Sequence, residues 1–172
     1  MRWVFVALLS CFCVTSAIGQ TNNEDFDLIT VCSGFEGHAY FVSGRLVTSD
    51  KTGWGENRLP GYLILLIQWK DDQRYDLFYK GNLSEGKIMP FTMDGASVSF
   101  LRKLDPHGYL FSVVYEKEKV TEIGTYHFDL NFMNDGELLF AQQRRNGVIN
   151  SMFAMTALCV GRETASLHKE RP

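Results

Sequence analysis

From Ala96 to Gly161, apolar and polar side chains alternate in one segment after another, and a period of two admits strands rather than helices. Ala96, Val98 and Phe100 alternate with Ser97 and Ser99, and Phe111, Val113 and Tyr115 share one face of the following segment. Asp105-Pro106-His107-Gly108 between them suits a reverse turn with proline at its second position. Further on, Asn134-Asp135-Gly136 suits a three-residue hairpin, and Asn146-Gly147 is a two-residue hairpin signal. Those two turns predict a register. One face aligns Phe132 with Leu138 and Met155, then Leu130 with Phe140 and Phe153; the other aligns His127 with Gln143 and Asn150.

The first half is read the same way. Tyr62 to Trp69 (YLILLIQW) is eight apolar and β-prone residues, too short to span a bilayer and suited to a strand buried on both faces. Leu28 to Cys32 reads as a first strand, Ser33 to Gly37 as a turn and Gly37 to Val47 as a second strand region. Arg74 to Lys80 alternates Tyr75, Leu77 and Tyr79 against Arg74, Asp76 and Lys80. Thr48 to Gly61 has no strand signal and is expected to be a long binding-type loop. Gly81 to Asp94 is a second long connection, and its apolar half (Ile88, Met89, Phe91, Met93) is expected to fold back over the core as a plug or lid. With nine strand candidates, the fold class is an all-β antiparallel meander forming a closed or nearly closed barrel; a two-sheet sandwich is the alternative.

Residues 1–19 read as a signal peptide: Arg2 supplies the charge, Trp3 to Val14 the apolar core and Ala17-Ile18-Gly19 the cleavage site. Residues 20–27 are then a polar arm, 28–161 a single β domain and 162–172 a hydrophilic tail. Loss of the leader removes Cys11 and Cys13 and leaves Cys32 and Cys159, one pair at opposite ends of the domain. In an exported chain such a pair reads as one disulfide that draws the first and last strands together. It also removes Arg2, so the 17 basic residues become 16 against 20 acidic ones, a net charge of −4. That balance gives neither the basic footprint of a nucleic-acid binder nor a polybasic membrane anchor. The expected location is secreted or periplasmic, with no membrane span after cleavage.

The chain has no His-Glu-x-x-His, no Gly-x-Ser-x-Gly, no metal-type cysteine pair, no phosphate loop and no dinucleotide fingerprint, so no catalytic residue, metal or cofactor is assigned. Length and meander resemble those of lipocalin-like barrels. The Gly-x-Trp of their first strand is absent, however: Gly53 is followed directly by Trp54. Trp54 and Arg58, in the first long loop, and Phe91, in the second, are the candidate contacts for a ligand or partner. Trp54 has the alternative of tucking inward as a plug. His127, Asp129, Gln143 and Asn150 form a polar row that is either a solvated outer face or a functional patch. Asn82-Leu83-Ser84 is a glycosylation sequon. These features suggest a non-enzymatic exported binding domain for a small apolar molecule or a protein partner. The alternatives are an inhibitor or an envelope or extracellular assembly protein acting through its rim, and a small hydrolase or isomerase using His127 with Asp129.

Overall fold

Long strands that twist together must curl, and the chain builds its structure on one of them. In the computed structural model, which describes residues 25–42, 47–81, 84, 86–104, 106–117, 120–145 and 150–162, β1 runs unbroken over Phe26–Val42. The expected turn at Ser33–Gly37 is instead a bulge inside this strand. Gly34 there adopts φ +71°, a left-handed conformation that glycine takes without penalty, and pairing with the last strand shifts register between Ser33 and Glu36.

β2 (Gly53–Leu59) and β3 (Leu63–Trp69) lie end to end along one edge of β1. The region 48–61 is therefore not the expected loop: it holds a short 3-10 turn at Ser49–Lys51 and then β2, so Trp54 and Arg58 sit on a strand. β3 fulfils the expectation for its segment, since Ile64, Leu65, Leu66 and Ile67 are all buried although successive residues point to opposite faces. β4 (Tyr75–Lys80) and the two-residue β5 (Met89–Pro90) complete this side. Asp76 points outward yet is buried, accepting hydrogen bonds from Trp69 Nε1 (3.3 Å), Arg74 Nη1 (3.1 Å) and Leu77 N (2.8 Å). Phe26 packs on Trp69 and Phe78, both at 5.6 Å, so the start of β1 is held against this hairpin.

The second half is a plain meander: β6 (Ala96–Leu104), β7 (Gly108–Lys117), β8 (Val120–Leu130), β9 (Gly136–Arg145) and β10 (Asn150–Gly161). β10 then pairs with the free edge of β1, and the order across the sheet becomes β5-β4-β3-β1-β10-β9-β8-β7-β6. This antiparallel sheet, nine strands across with β2 paired beside β1 as a tenth, curls into a half-barrel. Cys32 and Cys159 are direct cross-strand partners, buried and joined by a disulfide, so the first and last strands do lie side by side. That pairing lies in the middle of the sheet. The borders are β5 and β6, which are neighbours in sequence; Tyr75 on β4 approaches Phe100 and Tyr109, both at 5.0 Å, across the seam.

Face assignments for the last three strands agree with the expectation, but the register does not. Tyr126, Phe128 and Leu130 lie opposite Phe140, Leu138 and Gly136, and Phe140 and Leu138 lie opposite Met155 and Ala157. Between β9 and β10 the shift comes from the connection at 146–149, which lies outside the described residues; between β8 and β9 the cause is Asn131. Its side-chain oxygen accepts from Met133 N (2.8 Å) and Asp135 N (3.2 Å), and its backbone pairs with Asp135, which makes the connection five residues long. Phe132 consequently sits in the turn, 79% exposed, rather than in the core. Both slips are even, so every side chain keeps its face. The expected turn at Asn146-Gly147, Asn82 of the sequon, the expected signal peptide at 1–19 and the residues beyond 162 lie outside the described residues. Among the described residues, no helix is long and apolar enough to cross a membrane.

Candidate ligand-binding cavity

Inward-facing residues stack in layers along the half-barrel axis, and the cavity follows from their sizes. The lowest layer holds the disulfide and Leu130, and above it come Phe128, Leu138, Ala157 and Tyr109. The next layer is bulky, with Phe111, Tyr126, Phe140 and Met155 in one cross-strand row. The row above it is thin: Val113, Gly124, Gln142, Phe153 and Ala39 are successive partners on β7, β8, β9, β10 and β1. Small residues over large ones leave a space of about 800 Å³, within the range that holds one small organic molecule. A β-carbon at Gly124 would stand 3.1 Å from the ring of Tyr126, so any side chain there would make the ring shift by a few tenths of an ångström.

The cavity wall is aromatic. Tyr62 contacts Tyr79 (6.2 Å between ring centres), Tyr79 contacts Phe91 (4.9 Å), and Phe91 contacts Tyr126 (5.6 Å). Tyr126 stacks on Phe140 (4.8 Å), Phe140 meets Phe35 (6.2 Å), and Phe35 returns to Tyr62 (5.3 Å). Six rings thus form a closed collar, and all but Phe35 line the cavity. Phe91 carries the collar across the seam between the borders of the sheet. Of the apolar half of its connection only this residue and Pro90 with Met89 turn inward even partly. Ile88 and Met93 are 53% and 72% exposed, against the expectation that the whole stretch covers the core.

Above the collar the rim carries charge. Glu122 and Arg144 are cross-strand partners on β8 and β9, and the Arg144 guanidinium pairs with Glu122 Oε1 through Nε and Nη2. Gln142 Nε2 donates to Glu122 Oε2 at 2.6 Å. The Glu122 side chain is 14% exposed and that of Arg144 40%, so the carboxylate is the inner partner. Compared with family models, curated proteins and solved structures, the chain gives no match.

Of the candidate contacts Trp54, Arg58 and Phe91 and the polar row, Phe91 alone lies in the cavity, where Tyr79 and Tyr115 also line the wall. Trp54 is on the outer face of β2, 61% exposed and packed on Tyr40 at 5.3 Å, so it is not a plug. Arg58 is on the same outer face and pairs with Glu36 at 3.5 Å in an exposed ion pair, a contact of little energetic weight. His127, Asp129, Gln143 and Asn150 all lie on the convex outer face, but not as one row. The observed register places His127 between Leu110 and Leu139, Gln143 beside Ile123 and Met152, and Asn150 beside Arg145. Glu122, Gln142 and Arg144 were missed. The available signal was a charge on the apolar face of a strand: Glu122 shares its parity with Tyr126, Phe128 and Leu130, and Arg144 shares its parity with Phe140 and Leu138.

Burial pushes the Tyr126 phenol well above its ordinary pKa, and the Tyr62 and Glu122 charges add in the same direction. Burial likewise raises Tyr109, with Tyr75 contributing. An unfolded tyrosine loses its proton near pH ~10 while these two hold theirs, so the stability they contribute is intact below that pH and falls as pH rises beyond it. Urea midpoints measured at pH 9 and pH 11 should drop steeply for the native chain and less steeply for Tyr126→Phe. Parallel slopes would contradict the assignment.

Proposed function

We propose that the protein is a non-enzymatic binding protein that holds one small, largely apolar molecule in the half-barrel, and that it acts after export to an oxidising compartment. The observation that carries this reading is the cavity of about 800 Å³, ringed by aromatic side chains and capped by one polar trio. Apolar walls with a few convergent polar groups are the usual composition of a small-molecule site: the walls supply affinity and the polar groups fix orientation. Export is supported by the charged and apolar leader pattern of residues 1–19 together with the buried Cys32–Cys159 bond, since disulfides persist where glutathione does not reduce them.

The test is binding of prodan, an uncharged naphthalene dye whose emission shifts to the blue in apolar surroundings. One dye per chain should bind the native protein. Val120 lines the mouth and is only partly buried, so Val120→Trp should occupy the entrance without disturbing the core. It should weaken dye binding at least ten-fold, about 1.4 kcal/mol. Equal affinity for native chain and variant, or dye binding at many weak sites, would end this reading.

A further inference from the structure

A closed ring of aromatic side chains and a carboxylate facing the same space call for a particular class of occupant. The faces of phenyl and phenol rings carry negative electrostatic potential, and several of them around one volume favour a cation with apolar substituents over an anion or a neutral molecule of the same shape. Tyr62, Tyr79, Phe91, Tyr126 and Phe140 line the cavity from five separate segments. The two cation–π contacts among the described residues lie elsewhere: Arg74 over Trp69 on the outer face and Lys103 over Tyr109 at the seam.

The rim adds a charged pair. Glu122 and Arg144 both line the cavity, and the Glu122 carboxylate is the more buried of the two. Glu122 also keeps acceptor capacity: a carboxylate offers about four lone-pair sites, and Oε2 takes a single described donor, Gln142.

We propose that the molecule held in the cavity is an organic cation, a small amine or quaternary ammonium with an apolar body, seated against the aromatic collar and anchored by Glu122. The proposal rests on the cavity being a binding site. It commits to a charge sign, which the cavity reading alone leaves open.

The test displaces prodan from the native chain with three matched compounds: phenethyltrimethylammonium, its uncharged carbon isostere 3,3-dimethylbutylbenzene, and 3-phenylpropionate. The cation should displace the dye at a concentration at least ten-fold below that of the isostere, and the carboxylate should be the weakest. Glu122→Gln/Arg144→Gln keeps the polar contacts and removes both charges without leaving either unpaired, and it should cut the preference for the cation at least five-fold. Phe91→Leu, which leaves both charges in place and replaces one ring by an apolar side chain, should weaken the cation more than the isostere. A cation no tighter than its isostere, a tightest-binding carboxylate, or a preference that survives in both variants would overturn the proposal while dye binding left the cavity reading standing. Loss of native dye binding itself would overturn both.

Discussion

Replacing both cysteines, Cys32→Ala/Cys159→Ala, should lower the free energy of unfolding by about 4–5 kcal/mol. The bond closes a loop with a sequence separation of 127, and chain-entropy cost rises with the logarithm of loop length. Cutting it returns that freedom to the unfolded chain. The folded chain loses little by comparison, since Val31, Cys32 and Ser33 remain opposite Val160, Cys159 and Leu158 in the ladder. The native fold should therefore survive reduction in mild conditions while its urea midpoint falls sharply. The measurement is a pair of urea curves for the native chain and the double variant. Coincident midpoints would show that the bond contributes nothing to stability.

Gly37→Ala should be a strongly damaging single change, costing about 2–4 kcal/mol and roughly 5–15 °C in Tm. Just past the bulge β1 comes so close to β10 that a methyl group at position 37 would stand 2.2 Å from the carbonyl oxygen of Ala154 and 2.7 Å from the α-carbon of Met155. Those are backbone atoms in the middle of the sheet, and they cannot yield as a flexible side chain does. The strands would have to separate at the row where Met155 meets Phe140, beneath the cavity. Gly55→Ala on β2 is the control, because a β-carbon there meets nothing within 4 Å. Thermal unfolding of the two variants side by side decides the matter: equal Tm values would refute the close-approach account.

Alternation in the sequence carried the face of nearly every residue from Ala96 to Gly161 but not the register, and the difference has a physical origin. Which way a side chain points depends on parity, which a run of residues reveals locally. Which partner it meets depends on the length of the turn, and between β8 and β9 that was decided by the side chain of Asn131, outside the tripeptide that resembled a hairpin. The strand at Gly53–Leu59 escaped notice because its inward positions include Gly53 and Gly55, which supply no apolar beat against Trp54, Glu56 and Arg58. The bulge at Gly34 was indistinguishable from a turn, since both need the same backbone freedom. The cavity was least legible. It is a deficit of volume shared by Val113 and Gly124, and a shortfall of that kind becomes visible only once distant segments are stacked in one layer.

The position of β1 inside the sheet has a consequence for how the molecule can be made. One of its borders is completed by β2 and β3, a short distance along the chain, but the other waits for β10. A growing polypeptide therefore carries a long row of unanswered amide and carbonyl groups from its first folded ribbon until almost all of the remainder has emerged. Such a row invites the wrong neighbour, and contacts so remote in sequence form slowly. Crowded synthesis should accordingly favour entangled pairs of chains over single ones, unless the nascent chain is kept apart from others until its final ribbon arrives.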